Sequence, residues 1–589
     1  MVSQRRPGCD IAVKGHGTGC GSNLMSRTAH LSFWTAATSL SGIGLFLGTL
    51  FFAASLTPSL VPRSTAVQGV LAGACFAIGY GLGVFWRWLW AYLDLPEPQN
   101  RWRFRANVAM AAACLGVAGW FLWQSAAWQN SVRAAMGMER VAGTHAVTVC
   151  AIAVATFATL LGLGRLFGLV ARWTAAKSNL YVPRRVANAT GVLVAALLFW
   201  SVATDLLAKA VFSVLDSSYA ELNSLIEPER PRPVEADRTG SAASLVDWVD
   251  LGRAGREFVA GVPTAAQISA LTGRQARQPV RVYVGLPSAD DADERARLAL
   301  DELRRAGGFD RAKLIVVTPT GTGWVDPSAI EPIEYLADGD VASVAMQYSY
   351  LSSPLSLLAQ PEYGAEAARA LFRAVYGYWT SLPKASRPQL YLHGLSLGAM
   401  NSEKSMELFE ILADPIDGAL WSGPPFESRN WRSITRGRNP GSPQWLPEFR
   451  DGSFVRFMNQ NGATVPPSRP WGPLRSVYLQ YASDPIVFFD YSDFYRQPDW
   501  MTAPRGPDVS PDLGWYPVVT MLQLALDMAF ATATPMGHGH VYAPEHYIDA
   551  WISVADIRGW SPEAVTALKE ALAAKMRLAP EQTDGNRGG

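Results

Sequence analysis

Gly394-Leu395-Ser396-Leu397-Gly398 sets a serine between two glycines, each one residue removed. The apolar run Leu390-Tyr391-Leu392 precedes it, and Ala399-Met400-Asn401-Ser402-Glu403 can continue as a helix. A strand, a sharp turn and a helix in that order lift a serine hydroxyl above the end of a sheet, where it can attack a carbonyl. A side chain at either glycine would crowd such a strained turn. The bare pattern recurs by chance in a chain with 51 glycines, where it would mark a surface serine in a structural turn. The strand-then-helix setting favours the nucleophile.

A serine nucleophile needs a base and an acid to orient the base. Asp484 follows the apolar stretch 476–481, in Ser483-Asp484-Pro485, and is the expected acid. Asp490 is the reserve, since it could equally be a turn residue. Two histidines come later, in Gly537-His538-Gly539-His540-Val541-Tyr542. His540 is preferred as the base because Val541-Tyr542 can pack it against the start of the following helix, and His538 remains the alternative. The chain order Ser, Asp, His is that of an α/β-hydrolase. An oxyanion needs two donors. Leu397 N–H is one by its place in the turn. The second is expected from Thr320 or Gly321 in the loop Thr318-Pro319-Thr320-Gly321-Thr322-Gly323-Trp324. No Lys-Ser/Thr follows those glycines, so they do not complete a phosphate-binding P-loop. The cysteine and histidine spacings close no metal site, and neither a metal nor a cofactor is expected.

The elements that must position these groups are legible as a βαβ rhythm. Strands are expected at 280–284, 314–317, 341–348, up to Leu392, at 414–421 and at 476–481. Helices are expected at 293–305 and 365–378, with a final one starting near Pro544. This alternation predicts a mostly parallel sheet covered by helices. Residues 423–472 break the rhythm with Pro, Gly, Trp and Arg, and are a candidate cap over the site.

The first half of the chain is of another kind. Although 49% of the 589 residues are hydrophobic, the long apolar runs concentrate in 31–212. Five stretches of about 20 residues could span a bilayer: 33–56, 66–86, 107–127, 146–170 and 189–212. The expected organisation is a cytoplasmic tail (1–30), a five-span transmembrane domain (31–212), a connector (213–275), an α/β-hydrolase domain (276–575) and a flexible tail (576–589). Lys and Arg alternate four, one, four, two, four through the tail and successive loops. That alternation places the N-terminus in the cytoplasm and the catalytic domain outside the plasma membrane. All five cysteines lie before residue 151, so the second half has no thiol to lose in an oxidising compartment. A net charge of +1 offers nothing to a nucleic acid.

Val282-Tyr283-Val284-Gly285-Leu286, Thr320-Gly321-Thr322-Gly323-Trp324, Gln347-Tyr348-Ser349-Tyr350-Leu351, Ser396-Leu397-Gly398 and Ser483-Asp484-Pro485 together resemble the mycobacterial and actinobacterial membrane-linked α/β-hydrolases. These were once grouped by a domain of unknown function, and the likeness covers most of the chain after the first span. It implies a multispan region joined to a hydrolase and supports Ser396, Asp484 and His538 or His540 as its site. It also implies a membrane lipid as the substrate, an acylated or aminoacylated envelope lipid. A serine peptidase, a non-enzymatic lipid- or protein-binding scaffold and a lipid-moving span bundle are the alternatives.

Overall fold

The computed structural model describes residues 40–96, 100–143, 145–204, 230–351, 362–463 and 469–578. The N-terminal tail, most of the C-terminal tail, 33–39 of the first expected span and 205–212 of the fifth lie outside them.

The N-terminal half folds as apolar helices at Gly42–Ser55, Thr65–Tyr92, Asn100–Ala135, Ala146–Ser178 and Arg184–Ser201. Four are long and apolar enough to cross a membrane; the first is an apolar helix of 14 residues. Small residues let the first two approach closely. A Cβ on Gly79 would sit 2.6 Å from Leu47 O, and one on Gly83 would sit 2.6 Å from Gly44 Cα. Backbone contact of this kind suits helix packing in lipid, where burying apolar side chains against one another gains little. The outward faces are apolar, with Leu115 76% and Val147 84% exposed. In water such surfaces would be costly.

The second half is built on an eight-stranded sheet of order β1-β3-β2-β4-β5-β8-β6-β7. The strands are β1 Val280–Val284, β2 Lys313–Thr318, β3 Val341–Met346, β4 Gln389–Leu395, β5 Gly418–Ser422, β6 Val455–Asn459, β7 Gly462–Ala463 and β8 Arg475–Leu479. All neighbours are parallel except β6 and β7. The first five strands and β8 are those expected. Both faces of their central residues are buried, which is why they read as continuous apolar runs. Helices Ala292–Arg305, Tyr363–Ser381 and Leu397–Ser405 pack on one another as one covering layer; Pro327–Leu336, Pro544–Val554 and Pro562–Leu578 form another.

Three expectations need correction. Residues 423–472 are more than a cap: helix Arg429–Arg436 leaves the sheet, but β6 and β7 rejoin its edge beside β8. The helix beginning at Pro544 is not the last, because Pro562–Leu578 follows and buries Leu568 and Leu572 in the core. The connector is partly structural, since helices Gly252–Ala260 and Ala265–Thr272 contribute Phe258, Val259 and Ile268 to the same core.

The halves interlock. Leu60 and Val61, in the turn between the first two helices, are part of the hydrolase core. Asp527, on helix Val519–Ala529, accepts Leu60 N–H at 2.9 Å and Val61 N–H at 3.4 Å, and pairs with Arg63 Nε at 3.2 Å. Gln523 Nε2 donates to Thr57 O at 3.1 Å. Ser131, near the end of the third helix, meets Ser510 Oγ at 2.6 Å. The hydrolase domain therefore sits at the end of the bundle where helix one turns into two and three into four.

Candidate active site

The register brings the working ends of four strands side by side. Thr318 of β2 pairs with Gly394 of β4, Leu395 with Ser422 of β5, and Ser422 with Leu479 of β8. In open parallel sheets ligands bind at these carboxyl ends; the β2 loop, Ser396 and Asp484 leave the sheet there, while the histidines come from the loop between helices Val519–Ala529 and Pro544–Val554.

Ser396 directly follows β4 and precedes helix Leu397–Ser405. Its φ of 58° and ψ of −127° are a conformation that costs a non-glycine residue strain. The neighbours hold it there. Ser396 N–H donates to Ser422 O at 2.9 Å. A Cβ on Gly394 would lie 2.7 Å from Ala399 N, and one on Gly398 would lie 2.7 Å from Pro319 O, so both flanking glycines are required by close approach. Leu397 is the first residue of the helix, and its N–H belongs to the open N-terminal turn.

Asp484 caps the short helix Pro485–Phe488: its Oδ1 accepts Ile486 N–H at 2.9 Å. Its Oδ2 accepts two further bonds, from His540 Nδ1 at 2.7 Å and from Tyr542 OH at 2.8 Å. The carboxylate is fully buried. The Tyr542 phenol is pushed well above its ordinary pKa by burial and by the adjacent carboxylate, so it stays a neutral donor. With Nδ1–H committed to Asp484, the other imidazole nitrogen carries the lone pair. That Nε2 is buried and has no hydrogen-bond partner among the described residues. The ring lies over Gly423, where a Cβ would come within 2.7 Å of His540 Cε1. Gly423 adjoins Ser422, whose carbonyl holds Ser396; imidazole and serine are thus both anchored at the end of β5.

His538 and His540 part company because their loop is a tight turn rather than an extended segment. Gly537 and Gly539 take φ of 88° and 55°. Gly537 N–H bonds to Val541 O at 2.8 Å, and Val541 N–H to His538 O at 3.1 Å. His540 N–H is tied to Ala531 O at 2.9 Å. The structure thus brings His540, not His538, to Asp484. His538 is half-buried and faces His546, whose pKa falls to about 4 through burial, Lys569 and His538. Asp490, the reserve acid, is used elsewhere: it caps the turn at Tyr491–Phe494 and faces Arg432 at 3.4 Å.

The β2 loop lies against the elbow, as the Gly398 contacts require. One expected donor is withdrawn: Thr320 N–H bonds to Trp324 O at 3.0 Å and its Oγ1 to the same oxygen at 3.2 Å. Gly321 occupies the next position, inside the turn closed by Gly323 N–H to Thr320 O at 2.9 Å. Two side chains brace this loop from the ends of β1 and β3. Tyr283 OH donates to Gly323 O at 2.8 Å, and Gln347 Nε2 to Thr322 O at 3.2 Å.

Sequence reasoning missed the tie between the acid and histidine loops. Ser483 Oγ accepts Gly539 N–H at 2.8 Å and donates to Asp508 Oδ2 at 2.5 Å; Gln460 Nε2 donates to the same carboxylate oxygen at 2.8 Å. Asp508 lies in an aperiodic stretch that offers no signal. Tyr542 does more than pack against the helix start: its hydroxyl binds the acid.

A strained serine between a parallel strand and a helix, with a buried Asp–His pair whose acid follows a later strand and whose histidine comes from a loop near the chain's end, defines an α/β-hydrolase. Comparison with family models agrees. Residues 280–568 match an alpha/beta-hydrolase family, and residues 56–263 match the model of that family's N-terminus. The chain belongs to this family. No curated protein and no solved structure gives a significant match to it.

Proposed function

We propose that this hydrolase is a membrane-anchored serine esterase that cleaves acylated or aminoacylated envelope lipids. Ser396 is the nucleophile, His540 the general base and Asp484 its orienting acid. Leu397 N–H, with Gly321 from the β2 loop, faces the oxyanion. Ser396 Oγ attacks the ester carbonyl as its proton passes to His540 Nε2. Collapse of the tetrahedral intermediate expels the alcohol, which takes that proton, and leaves an acyl-serine. A water molecule, deprotonated by the same nitrogen, then releases the acid and restores the serine. Tyr542, by donating to Asp484, keeps the carboxylate turned toward the imidazole.

The observation that carries the reading is the 2.7 Å bond from His540 Nδ1 to a fully buried Asp484, beside a serine strained into an elbow. The preference for a lipid rests on the interlock with the apolar bundle. A domain tied to the bilayer meets membrane esters at high effective concentration. The same tie underlies the reading that the protein is a multipass plasma-membrane protein with a cytoplasmic N-terminus and an extracytoplasmic hydrolase.

Purified full-length protein should be given labelled envelope lipid extracts and, separately, peptide libraries. The expected result is loss of an ester-linked group from a lipid, abolished by Ser396→Ala. Peptide turnover without lipid turnover would replace the esterase with a peptidase.

A further inference from the structure

Beside the catalytic pair, and not lined by it, lies a cavity of about 300 Å³ between helix Arg429–Arg436 and the segment 487–500. Its wall carries Arg432, Arg436, Arg438 and Arg496. Two of these cations are internally balanced: Arg432 pairs with Asp490 at 3.4 Å and Arg438 with Asp499 at 3.0 Å. Arg436 and Arg496 have no carboxylate within ion-pair distance among the described residues and are exposed. The remaining wall acid, Asp493, is fully buried, with Oδ1 lacking any partner among the described residues. Burial, first, and the neighbouring Asp490 push its carboxyl up to about 7, so in mildly acidic solution it is largely an uncharged donor. The cavity thus has two spare guanidinium groups and a carboxyl whose Oδ2 is held by Asp490 N–H at 3.0 Å while its Oδ1 is unused, a set suited to a doubly oxygenated anion. Guanidinium forks match phosphate oxygens in pairs.

The location narrows the source of that anion. Phe426 in the cavity wall is three residues beyond Gly423, and its N–H bonds to Ile486 O at 2.9 Å, two residues beyond Asp484. On the same segment Tyr491 and Tyr495 are 66% and 72% exposed, with Phe494 beside them. Phe494 O accepts Val518 N–H at 2.9 Å, at the start of the helix that seats on the apolar bundle. Exposed aromatic rings next to arginines are the side chains that favour a membrane–water boundary.

We propose that this cavity binds the phosphate of a lipid headgroup and so holds the non-reacting end of the substrate while the ester reaches Ser396. The proposal rests on the esterase reading and adds to it a recognition site and a substrate class. Binding energy at a remote group of this kind orients the reacting bond.

The test compares two esters with the same acyl chains, dihexanoyl phosphatidylglycerol and the phosphate-free dihexanoylglycerol. They are given to full-length protein and to an Arg436→Gln, Arg496→Gln double variant whose folding is checked by thermal unfolding. The wild type should favour the phosphate ester in kcat/KM by at least about tenfold, and the double variant should lose that preference. An unchanged preference overturns the proposal. A second arm is independent of catalysis. Ser396→Ala protein should bind dihexanoyl phosphatidylglycerol, and the two Arg substitutions added to it should weaken binding by at least about tenfold. If no ester is cleaved yet this loss is seen, the hydrolytic reading fails and the phosphate site stands. If inorganic phosphate binds as tightly as the lipid, the site serves free phosphate, and the headgroup assignment is overturned.

Discussion

His538 and His540 are the same residue type two positions apart, yet only one has a carboxylate on its Nδ1. On the proposed mechanism, His540→Ala removes the base and should lower ester turnover by roughly four orders of magnitude. His538→Ala should act mildly, through the order of the Gly537–Val541 turn. Steady-state kinetics of both purified variants on a short-chain ester checks this. An inactive His538→Ala beside a near-normal His540→Ala would exchange the roles. Serine, acid and both histidines were legible because the chemistry restricts residue type and chain order. The choice between the histidines was not, because it depends on a turn closed by backbone bonds. The Thr320 N–H was lost to the pocket for the same reason: its partner, Trp324 O, is a backbone atom that residue types do not reveal.

At the scale of elements, the helix Val519–Ala529 has a role its composition did not announce. It joins the apolar bundle to the loop that carries His540. Asp527 on it and Arg63 in the bundle are a nearly fully buried pair, with side chains only 1% and 2% exposed. Removing one partner of a buried pair typically costs about 3–5 kcal/mol, because the other charge is stranded. Asp527→Ala should therefore lower thermal stability in detergent clearly, and Asp527→Leu with Arg63→Met should recover part of the loss. A single variant as stable as the wild type would show that the interlock does not depend on the pair. The strands β1 to β5 could be read from sequence because both faces are buried. β6 could not: Val455–Asn459 contains Arg456, whose guanidinium stacks on Trp471 at 3.8 Å. A charge buried by stacking looks, in sequence, like a charge at the surface.

For the whole molecule, the hydrolase lies at the one–two and three–four turns of a bundle in which four helices are long and apolar enough to cross a membrane. Arg63, the cation clearly assigned to the loop between the first two spans, is consumed by Asp527, so that loop presents even less free positive charge than its sequence suggests. This sharpens the alternation behind the proposed orientation. A tag placed after residue 580 should be cut by protease in intact cells stripped of their outer barriers, and a protected tag would reverse the orientation. The division into an apolar and a catalytic half was plain from hydropathy. Their interlock was not, because it is made by Leu60, Val61 and Asp527, far apart in the chain. The central claim, a serine activated by the Asp484–His540 pair, is tested most directly with a fluorophosphonate probe on the full-length protein in membranes. The account predicts a covalent adduct on Ser396, absent from Ser396→Ala and strongly slowed in His540→Ala. A folded wild-type protein that takes up no probe, or takes it up at another residue, would contradict it.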